Sequence, residues 1–274
     1  MMRVFSFKRY SGYRLGVRSI LIISLAILTC LSGYSAAADK HSLPFSPLEK
    51  ITFRVKWAFI TAGEANLELL PMESVNGIKS FHVVFTARTS EFVDLFYKVR
   101  DRIDSYTNAD MTRSILYRKQ HKGRSKKDVI VTFDWERKLA QYSNFGEEMA
   151  PVPILPGTFD PLSVFYAFRL YDLKENAEVN LPVTDGKKCI MGKAKVIRRE
   201  RIHVQGNSYD TYLVEPDLEH IGGVFRKSRN AKLQIWVTAD DKRLPVRIKS
   251  KVTVGSFVAE LVSFEEGTPD ASPE

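Results

Sequence analysis

The chain has 274 residues, 44% of them hydrophobic, and a formal net charge of +9 from 41 Lys and Arg against 32 Asp and Glu. That length allows a substantial core, in one large or two small domains. Two cysteines and a basic balance would invite a disulfide and a nucleic-acid partner, but the first segment of the chain removes both inferences.

Residues 1–38 read as a cleavable export signal. Arg3, Lys8, Arg9, Arg14 and Arg18 precede an uncharged run from Ser19 to Leu31, and Ala36-Ala37-Ala38 supplies the small residues of a cleavage site. The run is shorter than the roughly 20 residues of a spanning helix, so a retained anchor is the weaker alternative, and Leu28-Thr29 before Cys30 fit a lipid-attachment site poorly. Cleavage after Ala38 takes five positive and no negative charges, so +9 becomes +4, and the nucleic-acid reading goes with them. It also takes Cys30, leaving Cys189 alone in an oxidising compartment outside the cytoplasm with no intramolecular disulfide. Cys189 reads as a buried strand residue in KKCIMGKAKV.

Residues 39–266 of the mature chain read as a single β-rich extracytoplasmic domain. Ile51, Phe53, Val55, Trp57 and Phe59 alternate with polar positions, a half-buried strand. Gly63 marks a turn or bulge, Ala65, Leu67 and Leu69 continue the alternation, and Pro71 is expected to stop it. Asn76-Gly77 is the strongest short hairpin signal, with Phe81 to Ala87 returning. Glu91 to Tyr106 is ambiguous and reads as a loop, then a strand from about Lys98. Strands follow at Ser114–Lys119, Asp128–Asp134 and Leu139–Ser143, with a basic hairpin end over residues 118–127. Pro151, Pro153, Pro156 and Gly157 break the pattern. One substantial helix is then expected from Asp160, the cap, and Pro161 to about Leu173, with Leu162, Phe165, Tyr166, Phe168, Arg169 and Leu170 as its apolar face. Further strands are expected near 178–183, 188–201, 209–215, 232–238, 244–254 and 257–264, with a Gly222-Gly223 loop and a disordered tail over 267–274.

About a dozen strands and one helix predict an all-β, antiparallel fold: a large curved or barrel-like sheet with the helix packed on it or plugging one opening.

Several pieces in order carry a family resemblance. They are Val55-Lys56-Trp57 with Thr61-Ala62-Gly63-Glu64-Ala65, the run from Tyr97 to Arg102, the run from Asp160 to Arg169, and the run from Ile235 to Val246. Through these the chain resembles the periplasmic family catalogued as domain of unknown function 3108. The resemblance implies a signal-bearing envelope protein with a largely antiparallel β fold, and no reaction or catalytic residues. The hairpin at Asp240 to Pro245 is also similar to those of periplasmic lipoprotein carriers and lipocalin-like barrels, an analogy of fold alone.

Residue constellations for catalysis are weak. The mature chain has no G-x-S-x-G, H-E-x-x-H, nucleotide-binding glycine loop or S-x-x-K, and its five histidines are spread over separate elements. Asp94, Asp101, Asp104 and Asp110, interleaved with Arg100 and Arg102, read as cross-strand ion pairs on a solvated face rather than acid–base pairs.

The unusual local feature is basic. Arg118, Lys119, Lys122, Arg124, Lys126 and Lys127 fall within ten residues, and Phe225, Arg226, Lys227 and Arg229 with Lys232 form a second cluster. Such loops suit anionic headgroups, lipopolysaccharide phosphates or acidic wall polymers, or are solvated loops kept soluble by charge.

The expectation is a non-enzymatic periplasmic protein, without cofactor or metal, that binds or carries an apolar or amphipathic envelope component, with the basic residues docking it to anionic lipid. The alternatives are an envelope scaffold or assembly factor that binds a partner protein through a sheet edge or the glycine loop, and an enzyme of unrecognised type. No nucleic-acid partner is expected, nor a stable transmembrane segment after cleavage. An apolar cavity between helix and sheet would favour the carrier, and a filled core the scaffold.

Overall fold

The computed structural model describes residues 43–58, 60–123, 126–218, 231–252 and 255–268. The export signal with Cys30, the Gly222-Gly223 loop and residues 269–274 therefore lie outside the described residues. Gly267 and Thr268, expected in a disordered tail, are described: the Thr268 amide donates to the Pro47 carbonyl at 2.9 Å.

Among the described residues one sheet contains fifteen strands. In chain order they are β1 (Lys50–Trp57), β2 (Ile60–Val75), β3 (Ile78–Thr89), β4 (Arg100–Asn108), β5 (Ser114–His121), β6 (Lys127–Asp134), β7 (Leu139–Asn144), β8 (Glu147–Glu148) and β9 (Val152–Pro153). They continue as β10 (Glu178–Thr184), β11 (Cys189–Val204), β12 (Asn207–Pro216), β13 (Lys232–Thr238), β14 (Pro245–Val252) and β15 (Gly255–Glu265). Two short helices interrupt them, α1 (Glu91–Asp94) and α2 (Ser163–Phe168). The spatial order runs β10 to β15, then β1 to β8, with β9 beside β7, and every strand-to-strand pairing is antiparallel.

Alternation explains the faces. Ile51 and Phe53 are buried on β1, and Ala65, Leu67 and Leu69 opposite them on β2, so a continuous apolar surface lines the concave side. Register shifts recur at Thr52/Phe53, Val55/Lys56 and Val196/Arg198, and such bulges add the twist that curls a long sheet. Gly63 sits at the second of these, so it marks a bulge and not a turn. Pro71 does not end β2. The register shifts between Leu70 and Glu73, which leaves Pro71 outside the ladder, where its missing N–H costs no bond. Asn76 and Gly77 both have positive φ, +52° and +78°, as a two-residue hairpin turn of right twist requires.

The sheet curls without closing by strand pairing. Its ends, β10 and β7 with β8 and β9, are bridged by the intervening chain: the Ile154 amide donates to Lys138, and Phe159 and Thr184 exchange contacts across β10, Phe159 N to Pro182 O and Thr184 N to Phe159 O, each at 2.9 Å. The proline-rich segment is thus less irregular than expected, because it carries β9 and this bridge.

The expected substantial helix is a correction. The segment from Asp160 to Leu173 contains only the six helical residues of α2, because both ends are held by buried polar contacts and the chain leaves in i→i−3 turns at Arg169, Leu170 and Tyr171.

Candidate functional site

The segment Asp160 to Arg169 has an unusual division of labour. Positions 160, 163, 166 and 169 face inward and are essentially fully buried, and all four are polar: Asp160, Ser163, Tyr166 and Arg169. Asp160 Oδ1 accepts from the amides of Leu162 and Ser163 at 2.8 and 3.0 Å, the expected cap. Its Oδ2 accepts from Ser105, Ser114 and Ser163, each at 2.6 Å, which ties the helix start to β4 and β5. At the other end, the Arg169 guanidinium meets the Glu49 carboxylate bidentately at 2.6 and 3.0 Å and donates to the Lys242 and Pro44 carbonyls. Tyr166 also donates to Glu49, and burial with Glu49 beside it pushes its phenol pKa up, so it stays a neutral donor. Among the described residues no buried side-chain nitrogen or oxygen lacks a partner. This network therefore positions the helix.

With the polar stripe turned inward, Pro161, Val164, Phe165 and Phe168 face a cavity of about 340 Å³. Its opposite wall is the inner side of β10 to β13: Val179, Leu181 and Val183, Ile190 and Ala194, Val214, and Leu233, Ile235 and Val237. Charge is confined to Asp185, Lys188, Lys193 and Asp217 besides the already paired Arg169. Among the described residues the lining contains no Ser, Cys or His. Cys189 lies close by but half-buried, its sulfur 3.5 Å from the Thr158 hydroxyl.

The basic hairpin is divided by the structure. Arg118 and Lys119 belong to β5 and not to a loop: Arg118 is exposed between Asp104 and Ile130, and Lys119 is half-buried between Ile103 and Val129. Lys122 and Lys126 flank the turn and are exposed, and Lys127 opens β6. Arg124 lies outside the described residues, as do Phe225, Arg226, Lys227 and Arg229. Lys232 is exposed at the start of β13 and pairs with Glu215 at 2.8 Å.

Three of the four acidic residues, Asp94, Asp101 and Asp104, pair, though not all across strands, while Asp110 lies exposed in the turn after β4. Asp94 on α1 takes Arg100, and hydrogen bonds from Arg100 and Thr89 hold its carboxyl below the usual range. Asp104 bonds Arg102 on its own strand at 2.7 Å and His82 across it at 2.9 Å. Burial works against ionisation there, but those two partners hold the carboxyl low. His121 pairs with Asp101. Among the described residues no cluster of His, Cys, Asp and Glu is arranged to hold a metal ion.

Sequence reasoning read a loop between β3 and β4 but missed the apolar side chains it exposes. Phe92, Leu95, Phe96 and Tyr97 are all exposed, Leu95 by 78% and Phe96 by 75%. The signal was four large apolar side chains within six residues with no alternation to bury them.

An antiparallel sheet curled around an apolar cavity, with a short helix for one wall, places the chain among β-barrel-like proteins. It is similar to the crystal structure of a β-barrel-like protein of domain of unknown function DUF1849 from Brucella abortus, with a TM-score of 0.50 and 8% identity over 80% of this chain and 98% of that one. At that identity the likeness is one of fold. The chain belongs to the family described as protein of unknown function (DUF3108), whose model matches residues 52–262. No protein of curated function matches it in sequence.

Proposed function

We propose that this is a non-enzymatic periplasmic protein that binds or carries an apolar or amphipathic envelope component, such as a lipid chain, in the cavity between α2 and β10 to β13. The cavity carries the reading. Its volume falls within the roughly 300–1,000 Å³ of small-molecule sites, and its wall is apolar with charge only at the margin, the arrangement that suits a molecule with an apolar body and a polar head. Helix α2 supports it, because the inward polar anchors leave the aromatic side chains Phe165 and Phe168 to the ligand. The export features of residues 1–38 support the compartment. The described lining carries no Ser, Thr, Cys or His, and its two carboxylates and two lysines are exposed at the margin, so no reaction is proposed.

The test is ligand uptake by full-length protein expressed with its leader and purified from the periplasm. Native mass spectrometry should recover a bound lipid, and a fluorescent fatty-acid probe should bind. Ile235→Trp, which fills the cavity from β13, should reduce probe affinity at least tenfold while the far-ultraviolet circular dichroism is unchanged. Absence of bound lipid together with equal probe binding by the variant and the wild type would overturn the reading.

A further inference from the structure

We propose that the β3–β4 loop is a membrane-docking element, whose apolar tip enters an anionic lipid leaflet while neighbouring lysines contact the headgroups. Scattered exposed apolar residues are normal on a soluble surface, but Phe92, Leu95, Phe96 and Tyr97 are contiguous and exposed by 55% or more. They are also held in place. Val93 is buried beneath them, the Asp94 carboxylate is clamped by Arg100 and Thr89, and the Ser90 amide donates to Ala62 of β2 at 2.9 Å. A loop fixed in this way exposes its aromatic side chains as a consequence of its fold.

Charge around the tip selects the partner. Lys98 follows Tyr97 directly, and the β5–β6 turn lies against it: the Lys122 amide donates to Arg100 at 2.9 Å, and a Cβ on Gly123 would stand 2.6 Å from the Lys98 carbonyl. This approach brings Lys122 beside Lys98, opposed within the loop by Glu91, since Asp94 is already neutralised. Trp57 and Ile60, both exposed, flank the adjacent β1–β2 connection. Exposed Phe, Leu, Tyr and Trp with Lys close by are the residue set of a bilayer interface, where lysine stems run along apolar surface and their ammonium groups stay with phosphate. Alternate connections of an antiparallel sheet share an end, so β1–β2, β3–β4 and β5–β6 lie at the same strand ends as the β10–β11 and β12–β13 connections. The cavity lining draws on those strand ends, through Asp185, Lys188, Pro216 and Leu233. The inference goes beyond the proposed cavity ligand and does not depend on what fills the cavity.

The experiment is co-sedimentation of the full chain with phosphatidylglycerol–phosphatidylethanolamine vesicles and with phosphatidylcholine vesicles. Wild type should partition onto the anionic vesicles, and less so as salt rises. Replacing Phe92, Leu95 and Phe96 together by Ser should weaken partitioning at least tenfold, and Lys98→Glu with Lys122→Glu should weaken it roughly fivefold per lysine and flatten the salt dependence. Phe96→Trp, a milder change, should show a blue-shifted emission on anionic vesicles. Equal partitioning of the serine variant and wild type, or no binding of folded wild type to anionic vesicles, would sink the idea. A wild-type dimer that the serine variant abolishes, without vesicle binding by either, would also overturn it and give the patch to a second copy. Ile235→Trp should leave vesicle binding intact, and the serine variant should still take up the fatty-acid probe, which separates this inference from the cavity.

Discussion

Arg169 is 1% exposed and Glu49 2%, and each satisfies the other's charge in a site closed to water. Desolvation and attraction nearly offset in such a pair, but removing one partner strands the other. Arg169→Met should therefore destabilise the fold by about 3–5 kcal/mol in chemical denaturation, and Glu49→Leu added to it should restore part of that loss. Equal destabilisation by the single and double variants would show that the guanidinium acts through packing on Phe45 and Tyr166, which lie 5.2 Å away. Asp160 as a cap was legible in the sequence, because an Asp-Pro pair before an apolar run is a local signal. Arg169 was not, and its spacing placed it on an apolar face. Its partner is 120 positions away in the chain, and no local pattern encodes that distance.

At the scale of elements, four are joined at one carboxylate. Glu260 of β15 accepts from Lys56 of β1 at 2.8 Å, from Arg247 of β14 at 2.9 and 3.1 Å, and from Gln205 in the β11–β12 turn at 3.3 Å. Burial disfavours the charged form, but Lys56 and Arg247 more than offset it and hold the carboxyl pKa below its ordinary value. A pKa depressed by folding adds stability that is present above the unfolded value, near 4.3, and lost as pH falls through the folded one. Glu260→Gln should cost about 1–3 kcal/mol at pH 7 and flatten the acid limb of stability against pH; an unchanged acid limb would remove Glu260 from its cause. Strand positions were readable from alternation, as at Ile51 to Trp57 and at Asn76-Gly77. The β2 strand outran its reading at Pro71 because a bulge depends on the partner strand. The length of α2 was overread for a similar reason: periodicity continues to Leu170, but the buried contacts of Arg169 decide where the helix stops.

For the whole molecule, the barrel-like sheet was legible from the count and spacing of strands, whereas its failure to close was not. Which strands become the ends depends on pairing order, and the β15–β1 pairing joins residues about two hundred positions apart. The cavity was legible only as a question, because helix length and orientation decide whether the space beside it is filled.

The Phe159 bridge has a mechanical consequence. The ladder elsewhere must break many bonds in register to part, but the join between β10 and the β7 side has only a few main-chain hydrogen bonds, those of one connecting segment, backed by the β10–β11 turn where Lys187 lies over the Tyr142 ring. That join is a seam, and it can peel while the rest of the sheet stays paired. Since β10 and α2 are both walls of the cavity, peeling would widen the space without unfolding its floor, which under the proposed function would let one protein admit guests of different girth. Native-state hydrogen exchange should find the Phe159 and Thr184 amides released well before those of Leu67 or Val83, and a saturating fatty acid should slow the seam selectively. Simultaneous release of all four would mean that the molecule opens only by global unfolding.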